Sequence, residues 1–540
     1  MMAGTPILVL REGVEREKGK GAVSNNIAAA RALADAVRST LGPRGMDKML
    51  VDSMGDITIT NDGVTILKEV DVEHPTAKML VEVAKTQDQQ CGDGTTTAVV
   101  LSGELLRRAE TLIEQNVHPT VITRGFSLAR EEAERLLKAE VGHKVNIADE
   151  QTLVDVAATA MGSKGVYGSR EELAKLSVKA VRAIVESRDG KEVADTSLIQ
   201  IEKKHGGTIA DTELVQGILL DKERGHPRMN KVTKGAKIAL LNSSLEIKKT
   251  EFESKINIKS PGQIQNFLDQ EDHTFREMVD AVKATGANVV ISQKGIDDVV
   301  LHYLAKAGIF AVKQVKESDM QKLSRATGGK VVTGWKELSA KDLGSAGEVE
   351  ERQVGDSHMT FVTDCKGARS VSILIRGGTE HVTQEVERAL QDALKVVSST
   401  IEDGVICPGG GATEMELAVR LRKFAPTVGG REQLAVEAFA QALEVLPWSL
   451  AENGGYDAIN TIIDLRKAHE GSNKNAGINF SEGGHPGDML KLKVVEPLRV
   501  KSQAISSATE VANMVLRIDD VIASRKSGGG PPGGPGGHAH

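Results

Sequence analysis

The spacing of hydrophobic residues changes along the chain, and each change predicts a different architecture. In the first 140 residues, and again over most of the segment from about 380 to 525, apolar residues recur every three or four positions, which predicts amphipathic helices. From about 236 to 332, short apolar runs alternate with helical stretches, as is typical of an α/β layer. The predicted helices include 24–40, 98–116, 119–140, 171–186, 296–307, 318–326, 382–398 and 505–517, and the predicted strands include 57–60, 197–202, 238–241, 288–292, 309–312 and 330–332.

These patterns predict a multidomain protein of the α and α/β classes. At 540 residues the chain is too long for one hydrophobic core, so two to four domains are expected. The segment 246–275 is inserted after the first strand of the α/β layer. Its first half is extended and polar, and an amphipathic helical pattern follows from 261 to 279. A long insertion with structure of its own is usually functional.

The composition restricts the classes of partner. Aromatic residues make up only 3% of the chain, so surfaces on which nucleic-acid bases stack are not expected. The net charge is −7 and no long basic run occurs, which argues against nucleic acid or an anionic membrane as the main partner. No continuous apolar run approaches about eighteen residues, so no membrane-spanning helix is predicted.

Cysteine usage favours a reducing compartment. Cys91, Cys365 and Cys407 lie far apart and lack the spacing of a disulfide framework or a zinc site. The first residues also lack the basic segment of a secretory signal. We therefore expect a cytoplasmic protein.

A glycine-rich hexapeptide, Gly-Asp-Gly-Thr-Thr-Thr at 92–97, is the main candidate for chemistry. A helical pattern follows it, so Thr95, Thr96 and Thr97 are predicted at a helix N-terminus, where free amides and the helix dipole favour an anion. Asp93 beside them can hold a Mg²⁺ ion that shares its ligands with phosphate oxygens. One interpretation is a nucleotide phosphate site with its metal. The alternative is a turn followed by an ordinary threonine N-cap.

Other polar residues and turns have structural interpretations of their own. Asn-Asp-Gly at 61–63 has the composition of a hairpin turn. Lys164 lies in a glycine-flanked loop, and Asp392 lies about 115° around its predicted helix from the apolar stripe, so both have the pattern of solvated residues. Glycine turns at 42–45 and 409–411 each adjoin a helix. Sequence spacing does not show whether these segments meet.

The two commonest nucleotide-binding loops are missing from the sequence. No Walker A pattern occurs, and the Gly-x-Gly-x-x-Gly match at 528–533 has no predicted strand before it or helix after it. A nucleotide site in this chain therefore has to use a different construction.

Several motifs, in this order along the chain, resemble the signatures of the group II chaperonins, and the likeness is strongest to the archaeal thermosome type. They are Thr-Leu-Gly-Pro-Arg-Gly-Met-Asp-Lys at 40–48, Asn-Asp-Gly-Val-Thr-Ile-Leu at 61–67, Gly-Asp-Gly-Thr-Thr-Thr at 92–97, Pro-Gly-Gly-Gly-Ala at 408–412, Lys-Val-Val-Glu-Pro-Leu-Arg-Val-Lys at 493–501 and Leu-Arg-Ile-Asp-Asp at 516–520. The likeness covers about 5 to 525. It implies an ATP-dependent folding machine of two stacked rings, usually with eight or nine subunits in each.

The resemblance implies three domains. The equatorial ATP-binding domain would comprise 1–148 and 404–525, the intermediate domain 149–216 and 369–403, and the apical domain 217–368. The insertion at 246–275 would be a helical protrusion that serves as a built-in lid. The Gly- and Pro-rich tail at 526–540 is expected to be disordered.

The resemblance also implies a role for each site residue. Asp93 would bind Mg²⁺, Asp392 would orient the attacking water with the help of Asp62, and Lys164 would belong to a nucleotide-sensing loop. The residues implied to bind the nucleotide are Leu41, Gly42, Pro43, Asp93, Gly94, Thr95, Thr96, Thr97, Gly410 and Glu496. ATP and Mg²⁺ are the implied cofactors, and the family allows a monovalent cation as well.

The implied partners are other chaperonin subunits, identical or paralogous, and unfolded client proteins, with no nucleic acid and no membrane. Two alternatives remain: a ring subunit that binds ATP with little hydrolysis, and an unrelated ATP-dependent metabolic enzyme. Client capture would need exposed apolar surface, for which Phe252 and Phe267 of the insertion are the first candidates and the helix at 296–304 the second. The alternative for most apolar residues of these helices is a place in the core.

Overall fold

The computed structural model describes residues 14–166, 168–247, 261–365 and 370–524. Its helices are α1 Lys20–Arg38, α2 Gly63–Glu69, α3 Pro75–Cys91, α4 Thr95–Glu114, α5 Pro119–Leu136, α6 Glu150–Ala160, α7 Arg170–Ile184, α8 Pro261–Ala284, α9 Asp298–Lys306, α10 Glu317–Thr327, α11 Glu380–Asp403, α12 Ala412–Val428, α13 Glu432–Leu443, α14 Val445–Asn453, α15 Ala458–Glu470 and α16 Leu498–Leu516. Its strands are β1 Val14–Lys18, β2 Lys48–Val51, β3 Ile57–Thr60, β4 His143–Lys144, β5 Glu186–Arg188, β6 Lys191–Val193, β7 Ile199–His205, β8 Glu213–Val215, β9 Gly217–Leu220, β10 Val232–Leu241, β11 Val289–Ser292, β12 Phe310–Val312, β13 Val331–Val332, β14 Gly344–Val354, β15 Ser357–Cys365, β16 Val371–Gly377, β17 Val405–Pro408, β18 Ala476–Ile478, β19 Pro486–Asp488, β20 Val495–Pro497 and β21 Asp520–Ser524.

The helical part of the molecule consists of α1–α5 and α12–α16. Each amphipathic helix must bury its apolar stripe against a neighbour, and here the stripes form one large core and a smaller one under α15. In the large core, the rings of Phe126 and Phe439 pack edge to face with their centroids 5.8 Å apart. Small sheets attach to this part: β1 with β21, β2 with β3, β4 with β17 and β20, and β18 with β19.

The first helix confirms the predicted apolar face but not the predicted cap. The residues predicted to face the core, Ile27, Ala30, Leu33, Ala34 and Val37, are all buried. Ser24 does not cap α1, because the helix begins one turn earlier with Gly19 as its N-cap. The Ser24 hydroxyl instead donates a hydrogen bond to Glu110 on α4, 3.2 Å away.

One stretch of the described residues, Glu432–Asn453, is long and apolar enough to cross a membrane. It comprises α13 and α14, and 78% of its most apolar 18-residue window is buried inside the protein. These side chains, such as Val436 and Leu443, belong to the large helical core. The stretch is therefore a core element whose apolarity is explained by burial among other helices.

The mixed part combines the three-stranded sheet β7–β16–β8 with α6, α7 and α11. β16 pairs in parallel with β7 and antiparallel with β8. The apolar stripe predicted for 382–398 is confirmed, since Val386, Ala389, Leu390, Ala393 and Val397 are buried in this core. Residues of α11 outside this stripe, such as Asp392 and Lys395, contact other elements.

A seven-stranded sheet forms the α/β part, in the order β12-β11-β10-β14-β15-β9, with β13 paired to β10. β10, β11 and β12 run parallel, whereas β14, β15 and β9 add antiparallel pairs. Helices α8 and α9 cover one face, and α10 covers the other. Because both faces are covered, β11 is buried at all four positions. The predicted α/β layer is confirmed.

The insertion is described only in part. Helix α8 begins at Pro261 and continues to Ala284, five residues beyond the predicted end at 279. Phe275 and Met278 are buried in the α/β core, which confirms the core interpretation for these two residues. Residues 248–260, with Phe252, and the side chains of Ile264, Phe267 and Leu268 lie outside the described residues, as does the tail at 526–540.

The boundaries of the three predicted domains stay predictions. The separate cores of the helical, mixed and α/β parts support them, because the chain passes from one part to the next near each predicted boundary. The passages fall between β4 and α6, between β8 and β9, between β15 and β16, and between α11 and β17.

The three cysteines are free thiols, as their spacing predicts. Cys91, at the end of α3, is fully buried in a small apolar cluster where the helical part meets the mixed part. In that cluster Val156 of α6 and Val396 of α11 pack with Ile406 and Val500 of the helical part.

Candidate active site

A single cavity of about 650 Å³ lies between the helical part and the mixed part, and every predicted site residue lines it. These residues are Leu41, Gly42, Pro43, Asp62, Asp93, Gly94, Thr95, Thr96, Thr97, Lys164, Asp392, Gly410 and Glu496. They come from segments more than 450 residues apart in the chain, so the fold supplies the proximity that spacing could not show. The roles implied for them remain predictions at this point.

The loop at 92–97 joins the end of α3 to the start of α4. Gly92 and Gly94 both adopt the left-handed conformation, with φ of 76° and 79°. A Cβ on Gly94 would lie 2.8 Å from Val500 Cγ1, so a side chain would not fit there. The threonine N-cap interpretation is wrong, because Gly94 occupies the N-cap position and Thr95 begins the helix. The amides of the first turn of α4 therefore face the cavity without a capping side chain.

Asp93 is the carboxylate of this loop. Its Oδ1 accepts a hydrogen bond of 2.6 Å from the amide of Gly94. Burial raises the pKa of Asp93, and the Gly94 amide and the Lys164 ammonium oppose that rise only in part. Within the described ranges, no three His, Cys, Asp or Glu residues form a metal cage. A hard cation here would therefore take Asp93 together with phosphate oxygens and water, which is how Mg²⁺ is commonly held.

The Asn-Asp-Gly segment at 61–63 is not a hairpin turn. Asp62 is the N-cap of α2, and its Oδ2 accepts hydrogen bonds from the Thr65 amide at 3.0 Å and the Thr65 hydroxyl at 2.7 Å. The segment begins a helix because an apolar helical pattern follows it, and the hairpin between β2 and β3 turns earlier, at 52–56. A Cβ on Gly63 would lie 2.5 Å from Thr96 Oγ1, so this glycine lets the turn approach the threonine loop closely.

Lys164 is buried, contrary to the interpretation of a solvated loop lysine. Its Nζ lies 3.2 Å from Asp392 Oδ2 and 3.5 Å from Asp62 Oδ1. Burial by itself would lower the pKa of Lys164, but the two carboxylates outweigh it and raise that pKa. We refer to these three residues as the Lys164 triad. It holds one ammonium and two carboxyl groups, and with both of these ionised its net charge is −1.

Asp392 is likewise not solvated, because the face of α11 that carries it is turned towards the cavity. Its side chain is 14% exposed. Burial raises the pKa of Asp392 well above its ordinary value; the Lys164 ammonium opposes this rise, and the nearby Asp62 and Asp93 carboxylates reinforce it. By contrast, the pKa of Asp62 is lowered, because the Lys164 ammonium and the Thr65 hydrogen bonds together outweigh its burial. The two carboxylates of the triad therefore have different affinities for a proton.

The remaining glycine turns complete the wall of the cavity. Gly42 has a φ of 86°, and a Cβ there would lie 2.3 Å from Leu450 Cδ2. The carbonyl of the preceding Leu41 accepts a hydrogen bond of 2.8 Å from Asn453. Gly410 has a φ of 61°, and a Cβ there would lie 2.6 Å from Met489 Sδ. Both turns thus bring backbone close to neighbouring side chains, and both line the cavity.

Contacts at the cavity join the helical part to the mixed part. Besides the pairing of Lys164 with Asp62, the Asn61 side-chain amide donates to the Ser163 carbonyl. Nearby, Lys395 of α11 lies 2.9 Å from Asp88 Oδ1 on α3. Residues of the mixed part therefore complete a site whose loops belong to the helical part.

Several residues of the cavity wall were not predicted as site residues. They include Asn61, Gly63, Thr159, Gly411, Glu414, Ile478, Asn479, Phe480, Met489, Leu492, Lys493 and Lys501. The apolar members, such as Ile478 and Met489, have the composition of ordinary core residues. Asn61, Gly63, Gly411, Lys493 and Lys501 fall within the quoted motifs, but those motifs were not extended to a role for each residue. Among them, Ile478 and Met489 lie beside Gly410, so the cavity wall is apolar at that turn.

Comparison with known proteins then decides the family. A model of the TCP-1/cpn60 chaperonin family matches residues 33–526. The chain belongs to this family. The chaperonin is 59% identical over 538 residues to the thermosome subunit alpha of Thermoplasma acidophilum, covering 99% of this chain and 98% of that one. It is 56% identical over 523 residues to a thermosome subunit of Methanopyrus kandleri, covering 97% and 96% of the two chains.

A solved structure supports the same fold. The open state monomer of a group II chaperonin from Methanococcoides burtonii matches the chaperonin with a TM-score of 0.61 and 45% identity, over 79% of this chain and 100% of that one. The resemblance to the thermosome-type group II chaperonins is thereby confirmed, as is the multidomain α and α/β fold. The chaperonin is an ATP-dependent chaperone subunit of a ring complex, so the unrelated metabolic enzyme is set aside.

Proposed function

We propose that this chaperonin subunit hydrolyses ATP with Mg²⁺ in the cavity described above, and that hydrolysis is coupled to closure of the mixed part onto the helical part. One observation carries the proposal. Asp392 and Lys164 come from the mixed part, yet they line the same cavity as Asp93 and the amides of the loop at 92–97. Because the site contains residues of both parts, it can hydrolyse ATP only when the mixed part lies against the helical part.

The residues present fit a nucleotide triphosphate. The first turn of α4 offers uncapped amides to phosphate oxygens, and Asp93 is placed to hold a cation beside them. Bound Mg²⁺ would neutralise charge on the phosphates. The apolar part of the cavity wall, with Ile478, Met489 and Leu492, is suited to a base.

Asp392 has the properties of a group that orients water and accepts its proton. Burial among other carboxylates raises its pKa, which brings its proton affinity nearer to that required of a base at neutral pH. Lys164 fixes one oxygen of this carboxylate, and Asp62 is held by its own helix cap. This assembled triad favours hydrolysis over the alternative of a ring subunit that hydrolyses little ATP. A monovalent cation stays a prediction from the resemblance.

The proposed assembly is a pair of stacked rings of identical or paralogous subunits in the cytoplasm, acting on unfolded proteins. The lid at 246–275 and client capture by Phe252 and Phe267 remain proposals about residues that lie mostly outside the described ranges. On the second candidate surface, α9, Val300, Leu301 and Leu304 are buried and Val299 is exposed. That helix therefore offers a client little apolar surface in this conformation.

The proposed function is tested with the purified full-length chain. We expect particles of ring size by electron microscopy, ATP hydrolysis that EDTA abolishes and Mg²⁺ restores, and protection of a denatured client from protease after ATP is added. Ring-sized particles that bind ATP without turning it over would support the alternative of a structural subunit.

Replacing Asp93 with alanine should weaken Mg²⁺-dependent activity. Because Asp93 is the proposed protein ligand of the cation, the Mg²⁺ concentration for half-maximal hydrolysis should rise by about tenfold or more. A Mg²⁺ titration of ATPase activity measures this shift, with Asp280→Ala, at an exposed aspartate of α8 in the α/β part, as the matched control. An unchanged titration for Asp93→Ala would assign the metal to another residue.

The β2–β3 hairpin should be a contact between subunits. Its apolar side chains are solvent-exposed in the single chain, with Met54 88% and Met49 65% exposed, and a patch of this kind usually marks an interface. Introducing glutamate at Met49 and Ile59 should reduce the ring-sized fraction in sedimentation by about tenfold or more, because burying unpaired carboxylates is costly. Val232→Glu, at an exposed valine of β10, is the control, and normal rings from the hairpin variant would contradict the prediction.

A further inference from the structure

Arg170, the first residue of α7, lines the candidate active site but has no role in the proposed mechanism. It is exposed to solvent although it lines the cavity, so it marks the mouth. A Cβ on Gly162 would lie 3.8 Å from Arg170 Nη1. Gly162 belongs to the turn that leads into Lys164, so the guanidinium lies on the side of the cavity that holds the Lys164 triad.

Two of the cations in the cavity wall are already neutralised by carboxylates. Lys164 belongs to its triad. The Nζ of Lys501 lies 2.8 Å from one carboxylate oxygen of Glu414 and 2.8 Å from one of Glu496. Neither ammonium therefore has a free charge to offer to an anion that enters or leaves the cavity.

Arg170 differs from these lysines because it lacks an anionic partner. Another cation of the wall, Lys493, lies 4.0 Å from Asp155 Oδ2. Glu171 is next to Arg170 in the sequence, but its Oε1 lies 2.8 Å from Lys175 Nζ. No ion pair or hydrogen bond joins the Arg170 guanidinium to any residue in the described ranges.

The position of Arg170 on its helix is also unfavourable for a cation. The N-terminal end of a helix carries partial positive charge, so a basic residue in the first turn opposes the helix dipole. Arg170 occupies the first position of α7 with no ion pair to offset this effect. Its charge therefore does not stabilise the fold, and it is available to an anion from the cavity or from solvent.

The anion that this cavity would release is inorganic phosphate. The proposed hydrolysis takes place beside Asp392, in a wall whose acidic residues outnumber its basic ones. The acidic residues are Asp62, Asp93, Asp155, Glu171, Asp392, Glu414 and Glu496, and the basic ones are Lys164, Arg170, Lys493 and Lys501. Inorganic phosphate carries nearly two negative charges at neutral pH, so an unpaired cation at the mouth would attract it outwards.

We propose that Arg170 binds the inorganic phosphate set free by hydrolysis, at the mouth of the cavity. This rests on the proposed function, because it requires ATP to be cleaved in the cavity. A guanidinium presents parallel N–H donors that match two phosphate oxygens. Since its ligand is the product, Arg170 sets how tightly phosphate is held beside bound ADP and takes no part in breaking the bond.

The test measures how added inorganic phosphate inhibits ATP hydrolysis by assembled rings, with turnover followed as ADP formed. Phosphate should inhibit the wild type by occupying its site while ADP is bound. Arg170→Gln should raise the phosphate concentration for half-maximal inhibition by about tenfold or more, the value of a hydrogen bond between charged groups. Reference reactions contain potassium chloride at equal ionic strength, because screening alone weakens charge interactions.

The matched control is Lys179→Gln, which removes the same charge from the same helix. Lys179 is exposed and does not line the cavity, so inhibition by phosphate should stay as in the wild type. Arg170→Gln should not lower the unfolding temperature, because Arg170 has no partner and opposes the dipole of α7. Sedimentation of each variant confirms that rings have assembled.

A second arm separates released phosphate from the terminal phosphate of intact ATP, which has the same chemistry. Binding of ADP and of a non-hydrolysable ATP analogue is measured by calorimetry on wild-type and Arg170→Gln rings. We expect their ratio of affinities to change by less than about twofold. A loss of about tenfold confined to the ATP analogue would place Arg170 on the bound nucleotide and overturn the assignment to released phosphate.

The remaining outcomes separate this inference from the proposed function. Equal inhibition of wild-type and Arg170→Gln rings overturns the inference, and so does a wild-type ring that phosphate inhibits no more than potassium chloride. An equal loss of inhibition in Lys179→Gln also overturns it, since the effect would then belong to the net charge of α7. All of these results leave ATP hydrolysis at the site intact, whereas a wild-type ring that does not hydrolyse ATP overturns both proposals.

Discussion

Replacement of Asp392 by alanine is expected to reduce ATP turnover by more than about tenfold while ATP still binds. Asp392 lies on α11, paired with Lys164, and the groups proposed to anchor the phosphates belong to the loop at 92–97. Removing it should therefore leave binding in place and disturb the attacking water. Single-turnover hydrolysis and equilibrium ATP binding on assembled rings measure the two effects separately. Turnover at the wild-type rate would show that another residue orients the water.

Replacing Asp392 with asparagine should leave the folded chain at least as stable as the wild type. The pKa of Asp392 lies well above its ordinary value of 3.8, so the folded state holds this proton more tightly than the unfolded state. Ionisation of Asp392 therefore costs stability at neutral pH, and that cost disappears as the pH falls towards 3.8. Asp392→Asn should unfold at a temperature no lower than the wild type at pH 7.5, with a difference that shrinks as the pH falls. A lower unfolding temperature at pH 7.5 would contradict this sign.

Replacing Lys164 with methionine should have the opposite effect on stability and a large one. It leaves Asp62 and Asp392 buried without a counter-charge, and removal of one partner from a buried ion pair costs about 3–5 kcal/mol. The pKa of Lys164 is raised, so its contribution is fully present below the ordinary lysine value and is lost only as the pH rises above it. Thermal unfolding at pH 7.5 should therefore show the whole effect.

Two variants make the Lys164 prediction specific. Adding Asp392→Asn to Lys164→Met removes one of the stranded carboxylates and should recover much of the lost stability. Lys175→Met breaks an exposed pair of 2.8 Å with Glu171 and should change the unfolding temperature little. Equal losses from Lys164→Met and Lys175→Met would mean that the Lys164 triad contributes no more than a surface pair.

The fold was predictable where one physical requirement dominated the local pattern. Strand β11 reads as a continuous apolar run because both of its faces are covered, and α11 shows its stripe because one face packs on the mixed part. The start of α16 was predicted seven residues too late, at 505 instead of Leu498. Its first turn buries Lys501, a charged residue that interrupts the apolar periodicity, and only the facing carboxylates explain why it is tolerated there.

The candidate site was predictable only in its local pieces. The loop at 92–97 carries its own signal, because glycines, a carboxylate and hydroxyls before a helix predict an anion site from neighbouring residues alone. Lys164 and Asp392 have no such signal, since each is buried by an element distant in sequence. The three residues at 61–63 suit a hairpin turn, so Asp62 was assigned to one. In the structure a helix follows directly, and Asp62 is its N-cap.

The buried thiol of Cys91 can report separation of the mixed part from the helical part. Burial raises the pKa of this thiol to about 12, so near neutral pH it carries almost no reactive thiolate, and no reagent reaches it while the junction is packed. Val156 and Val396 of the mixed part belong to the same buried cluster, so lifting of the mixed part from the helical part should expose Cys91. The rate at which a maleimide labels Cys91, followed by mass spectrometry of its peptide, should therefore rise with the frequency of opening and needs no measurement of nucleotide turnover.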